Sequence, residues 1–184
     1  RQGAFTMKRL LYAVPVFILS LAVINPASAE RDLRHFGALG FGLGIPDHAD
    51  FRENYSQSLS GSLGYGTRLG HNRRFFAYGM LAYNRFRARE GARVGDTYFV
   101  NFNANVRWYV GVPARENSGY VGLGPGVYWD KEGDAFFGGN IAIGGDFPLG
   151  DGWSVTADLA QHLIDSRDKG AFLTIYVGAA YWFM

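Results

Sequence analysis

Between residues 98 and 111 the chain reads YFVNFNANVRWYVG, with Val100, Phe102, Ala104, Val106 and Trp108 at even positions and Asn101, Asn103, Asn105 and Arg107 at odd ones. Successive side chains of an extended strand point to opposite faces, so this period of two gives one apolar face and one strongly polar face. The polar face must meet water or a polar interior. The apolar face suits a packed core or lipid equally well, and the local pattern is the same in both cases.

The alternation recurs along the chain and predicts eight strands. Residues 39–45 set Leu39, Phe41, Leu43 and Ile45 against glycines, and residues 58–70 set Leu59, Leu63, Tyr65 and Leu69 against Ser58, Ser60, Ser62, Gly64, Gly66 and Arg68. Residues 75–86 carry aromatics on both parities, and Phe76, Tyr78 and Met80 are expected to point outward. Strands follow at 97–110 and at 120–129, where Pro125 removes one ladder donor. Residues 136–147 separate Phe137, Ile141, Ile143 and Phe147 from Asn140, Ala142 and Asp146. Residues 153–163 separate Trp153, Val155, Ala157 and Leu159 from Ser154, Thr156, Asp158, Ala160 and His162, and a last strand spans 171–184. The links between them are short, polar and rich in turn formers, as in RAREGARVGD and DKEGD. Short links join antiparallel neighbours, which makes the fold all-β: an eight-stranded antiparallel up-and-down β-barrel.

The N-terminus bears on which side of that barrel is wet. Met7-Lys8-Arg9 precedes the apolar run LLYAVPVFILSLAVI at 10–24, and Asn25-Pro26 leads into Ala27-Ser28-Ala29. This order is that of a helical secretory signal peptide over 7–29, with cleavage after Ala29. Residues 1–6 read as upstream residues outside the fold, and 30–184 as the barrel. Removing 1–29 takes away Arg1, Lys8 and Arg9 and no acid, so a formal charge of +2 becomes −1, with fifteen basic against sixteen acidic residues. The basic character therefore belongs largely to the leader, and no basic stripe speaks for nucleic acid. The absence of cysteine excludes disulfides, thiolate metal sites and a cysteine nucleophile.

Export is the first of three features that turn the barrel inside out. The second is the aromatics at strand ends on the apolar face: Tyr98, Trp108, Trp129, Phe137, Phe147, Trp153, Tyr181 and Phe183. Aromatic girdles of this kind sit at the two membrane interfaces. The third is the opposite face, whose asparagine, serine, arginine and glycine would make a poor soluble core. Together these features place the apolar face against hydrocarbon.

The chain closes on Ile175-x-Val177-x-Ala179-x-Tyr181-x-Phe183. This resembles the C-terminal signature of bacterial outer-membrane barrels, which the barrel assembly machinery recognises, although Met184 follows the aromatic here. The layout of a leader and eight short strands is similar to the small outer-membrane barrels of the opacity-adhesin type. That resemblance implies a Gram-negative outer-membrane location and contact with outer-membrane lipid and lipopolysaccharide. It also implies a structural, adhesive or surface-interaction role through short loops at 46–54, 87–96, 130–135 and 165–170, with no surface ligand specified.

An eight-stranded barrel has an interior about wide enough for its own side chains. The inward set is expected to form a polar cluster of Arg68, Asn101, Asn103, Asn105, Arg107, Asn140, Asp146, Asp158 and His162, with inward glycines leaving some gaps. A buried charge without a partner costs several kcal/mol, so Arg68 and Arg107 are expected to pair with Asp146 and Asp158.

Catalytic candidates are thin. Barrels that deacylate lipid A carry His-x-Ser on the penultimate strand; here LAQHLIDS at 159–166 is similar in location, but Ile164 stands in place of the serine. Asp158, His162 and Ser166 share a face but are spaced about 13 Å apart, too far for a proton relay. His162 is expected to be a lumen or rim histidine with a polar neighbour, and Gln161 to lie near the outer interface. His35, His48, His71 and His162 are scattered, and Asp47, His48 and Asp50 read as a solvated link. No enzyme activity, cofactor or metal is expected. A narrow pore for small solutes and a lipid A deacylase are the alternatives.

Overall fold

The structure, a computed structural model, describes residues 33–71, 73–165 and 170–184, without the side chain of Ser58. The expected leader at 7–29, residues 1–6, and Ser166 lie outside the described residues. The elements are β1 (His35–Pro46), α1 (Ala49–Asn54), β2 (Tyr55–Ser56), β3 (Ser58–Arg68), β4 (Phe75–Ala88), β5 (Thr97–Val110), β6 (Ser118–Asp130), β7 (Ala135–Gly150), β8 (Trp153–Ile164) and β9 (Ala171–Phe183).

Two-residue β2 only extends the edge of β4, through Tyr55 opposite Ala88 and Ser56 opposite Arg87. The other eight strands form one antiparallel sheet in which sequence neighbours pair, and β1 pairs with β9 from His35–Phe183 to Pro46–Phe172. The sheet thus closes and has no free edge, which satisfies the backbone N–H and C=O groups without water. Pro125 does not end β6. The β5–β6 ladder skips from Asn103–Gly126 to Val106–Leu123, whereas the β6–β7 ladder runs on through Pro125–Gly139, so the missing N–H is absorbed on one side only.

The alternation resolves as an inverted barrel. On β5 Asn101 and Asn103 are 0% exposed, whereas Phe102 and Val106 are each 47% exposed. Leu59, Leu63, Leu123, Phe137, Ile141 and Val177 cover the exterior likewise. Strand β4 corrects one expectation: Phe76, Tyr78 and Met80 point inward and are buried, and Phe75, Leu81 and Tyr83 point out. Both parities are apolar enough to face lipid, so room in the lumen decides. That room comes from glycines, since a Cβ at Gly64 would overlap the Tyr78 hydroxyl and a Cβ at Gly66 the Phe36 ring.

The same observation corrects the expectation of gaps. At Gly144 a Cβ would collide with Tyr120, and at Gly126 with the Asn103 amide, so these inward glycines are covered by side chains lying flat on the wall. Two aromatic layers close the lumen. Phe36, Phe76, Tyr109, Tyr120 and Trp182 fill the end that carries the chain termini, and Phe51, Phe86, Phe99, Tyr128 and Phe172 fill the loop end. Phe51 comes from α1, in a stretch the sequence presents as a solvated link. A six-residue helix is marginal alone. What holds this one is the Phe51 ring, 4.8 Å from Phe86 and 4.9 Å from Tyr55.

Candidate functional site

Between the aromatic layers lies a polar interior built from one face of each strand. Asn101, Asn103, Asn105, Arg107, Asn140, Asp146 and His162 are all buried there. Asp158 joins them from β8 with its side chain 13% exposed. Arg68 lies apart from the amides, at the termini-end rim beside Leu33, Arg73, Phe76, Val112, Pro113 and Arg115.

Arg107 is the centre of the charged layer. Its guanidinium carbon stands 3.6 Å from the centre of the Tyr78 ring and 4.3 Å from that of Tyr120, so the cation is held between two aromatic faces. One of its terminal nitrogens is 3.7 Å from Asp158 Oδ2, and the Tyr120 hydroxyl donates to that same oxygen at 3.0 Å. Asp146 adds a second negative charge within electrostatic reach of Arg107. A planar cation that stacks and pairs at once loses less on leaving water than a point charge would, which explains arginine rather than lysine here.

Above this layer runs a chain of neutral hydrogen bonds. Asn84 Nδ2 donates to Asn101 Oδ1 at 2.7 Å, and the Tyr176 hydroxyl donates to Asn84 Oδ1 at 3.0 Å. The Tyr128 hydroxyl lies 2.9 Å from Asn103 Oδ1 and 3.0 Å from His162 Nδ1, while His162 Nε2 lies 3.1 Å from Thr174 Oγ1. One assignment satisfies all three contacts: Thr174 donates to Nε2, Nδ1–H donates to Tyr128, and Tyr128 donates to Asn103. His162 also stacks on Phe172 at 4.5 Å. It is a fully buried structural histidine whose polar partners come from β6 and β9.

Tyr78, Asn84, Tyr120, Tyr128, Thr174 and Tyr176 are lumen partners that sequence reasoning did not single out. Tyr120 and Tyr128 were in view on the glycine-rich parity of their strand. Tyr78 was hidden by the doubly aromatic β4.

Among the described residues, the deacylase-like positions lie on the lumen side of β8. Ile164 occupies the position of the missing serine and packs in the loop-end aromatic layer, and His162 is 0% exposed on the lumen side. Among the described residues no three of histidine, cysteine, aspartate and glutamate converge as metal ligands would. Gln161 faces outward near the loop end, and its Nε2 donates to Asp47 Oδ2 at 3.1 Å.

The exterior completes the geometry. At the termini end Trp153 packs against Tyr181 at 5.0 Å, and His35 stacks with Tyr65 and Phe183. At the loop end Tyr83 packs against Tyr98 at 5.4 Å, with Trp129 and Phe137 exposed on the next strands. An apolar band between two aromatic girdles, wrapped around a closed sheet with a charged interior, is stable only with hydrocarbon outside. This defines a small transmembrane β-barrel of the bacterial outer-membrane class, and the outer membrane is its location.

Solved structures bear out the fold. The chain is similar to Neisserial surface protein A at 10% identity and a TM-score of 0.58, covering 81% of this chain and 96% of that one. It is similar to the attachment invasion locus protein Ail of Yersinia pestis, solved with the heparin analogue sucrose octasulfate, at 16% identity and a TM-score of 0.56, covering 83% and 100%. The N-terminal β-barrel domain of Pseudomonas aeruginosa OprF matches at 12% identity and a TM-score of 0.54, covering 82% and 98%. No protein-family model matches the sequence, and no curated protein matches it.

Proposed function

We propose that this chain is a non-enzymatic outer-membrane barrel that acts through its loop end, as a structural or adhesive surface protein of the opacity-adhesin kind. One observation carries the reading. The lumen is filled along its length by Trp182, Tyr109, Arg107 with its two tyrosines, the asparagines, and the Phe51–Phe86–Phe99 layer. A barrel packed this way has no wide solute path, which leaves the loops as the working surface. In this reading the leader at 7–29 directs export, β9 presents the closing motif to the barrel assembly machinery, and lipid and lipopolysaccharide surround the wall. The polar cluster serves as the scaffold that keeps the loops in place.

Planar-bilayer recording on the refolded protein tests the filled lumen, with no discrete conductance steps expected. Steady unit conductance in 1 M salt would favour the narrow-pore alternative. Mass spectrometry of lipid A from expressing cells tests the deacylase alternative, with unchanged acyl number expected.

A further inference from the structure

The turn between β5 and β6 folds back over the end of the lumen that carries the chain termini. Ala114 sits there at a φ of 65°, a left-handed conformation that residues with a Cβ seldom adopt, and it is buried in the same aromatic layer as Tyr109 and Trp182. The Val112 N–H donates to Glu116 Oε1 at 2.6 Å, and the Glu116 N–H donates to the Val112 carbonyl at 3.2 Å. At the same corner the Tyr109 N–H donates to the Arg74 carbonyl at 2.8 Å, which ties in the β3–β4 turn. A strained residue persists only where its surroundings over-determine the backbone, so this turn is a built feature of the barrel end.

Between the two turns lies a small pocket that is open on one side. Arg68, Arg73 and Arg115 line it, and no described aspartate or glutamate does. The rest of its lining is apolar, with buried Phe76 beside Leu33, Val112 and Pro113. The rim around it carries Arg34, Arg68, Arg73, Arg74 and Arg115 against Glu116 and Asp151 among the described residues. A cleft lined by one sign of charge over apolar walls focuses its field and draws the opposite charge.

We propose that this pocket binds the terminal carboxylate of a peptide that closes on alanine. The arginines hold the carboxylate, because the planar guanidinium fork matches its two oxygens. Phe76, Val112, Pro113 and Leu33 take the methyl side chain, and the small size of the pocket excludes a bulky one. A free phosphate is disfavoured because half of the lining offers it no hydrogen bond. The site itself rests on this geometry. Only its placement in the periplasm rests on the orientation given under Proposed function, with the loop end outermost.

The test uses the full barrel refolded in detergent, isotope-labelled and titrated with trialanine as the free acid or as the C-terminal amide. Amide NMR shifts across residues 68–71 and 111–117 are expected to saturate with the acid. A charge-assisted contact contributes about tenfold or more, so the amide and the R73Q/R115Q variant are each expected to bind at least about tenfold more weakly. R87Q/R93Q, which removes two arginines from the loop end, is expected to bind as wild type does. Peptides closing on D-alanine or on L-alanine separate the two sources of such an end, a wall stem peptide and a protein. A dispersed spectrum shows that each variant is folded. Equal binding of acid and amide, an undiminished R73Q/R115Q, an equal loss in R87Q/R93Q, or equal competition by inorganic phosphate would overturn the proposal. A folded wild type without saturating shifts would overturn the site and leave the filled barrel standing, whereas conductance steps would do the reverse.

Discussion

The Arg107 guanidinium carbon lies 3.6 Å from the centre of the Tyr78 ring, inside a membrane-spanning barrel. The charge can reside there because every side of the cation is answered: Tyr78 and Tyr120 on its two faces, Asp158 at its edge and Asp146 nearby. Removing either charge therefore strands the other.

Arg107→Met is expected to lower stability by roughly 3–5 kcal/mol, because Asp158 is left buried without its cation. Arg107→Met combined with Asp158→Asn is expected to recover part of that loss and not all of it, since Asp158 is then neutral while Asp146 is still left without its cation. Urea unfolding in lipid vesicles, followed by tryptophan fluorescence, measures both. Equal instability of the single and double variants would show that the pair is not coupled.

Tyr120→Phe keeps the ring over Arg107 and removes only the hydroxyl that donates to Asp158. A loss of about 1–3 kcal/mol is expected, the cost of a missing donor to a buried charged acceptor. The same unfolding assay reads it, and an unchanged midpoint would mean that another donor replaces the hydroxyl.

Gly64 and Gly61 are three residues apart on β3 and face opposite ways. Gly64→Ala pushes a methyl into the Tyr78 hydroxyl and is expected to cost roughly 1–3 kcal/mol. At Gly61 the nearest atom to an added Cβ is 3.9 Å away, so Gly61→Ala is expected to be neutral or slightly stabilising. Comparable losses at both sites would contradict the tight fit of Tyr78 on the wall.

Phe51→Ala removes the ring that α1 inserts into the loop-end layer. Faster amide exchange over residues 47–57 is expected, with no gain of conductance, because the Arg107 layer and the Trp182 layer still fill the barrel below. Discrete current steps in this variant alone would identify α1 as the sole closure.

Asp96 lies outside the membrane-spanning strands, and its carboxyl is held below the usual 3.8, first by the Ala88 backbone N–H and then by Arg85. A folded-state pKa below the unfolded one gives stability that is present above the unfolded value and is lost as pH falls through the folded value. The β4–β5 link is therefore expected to stay ordered from pH 8 to pH 5 and to loosen only below about pH 4. Exchange at the Ala88 amide follows this, and Asp96→Asn is expected to reproduce the loosened state at neutral pH.

The strands, their number and most of their faces were legible because a period of two is a strictly local property. Asn101, Asn103, Asn105 and Arg107 could be assigned to one face without knowing what lay across the barrel. The site was legible as an inventory of inward polar residues and not as a set of partners. Arg107 meets Asp158 from a strand about 50 residues away, and the Tyr176 hydroxyl reaches Asn84 across a separation of 92. Such distances depend on strand register and closure, which no window of sequence contains.

The sequence by itself determined that the sheet would have an oily face and an amide-rich face, since alternation fixes the two sides of each strand wherever they contrast. Where they do not contrast, on β4, only closure of the sheet decided. Gly64 and Gly66 on the adjacent strand left open wall for Tyr78 and Phe36, and packing space chose the inward set. The insertion of Phe51 and the aromatic clamp on Arg107 belong to the tertiary structure for the same reason: each depends on what a neighbouring strand leaves vacant or exposed.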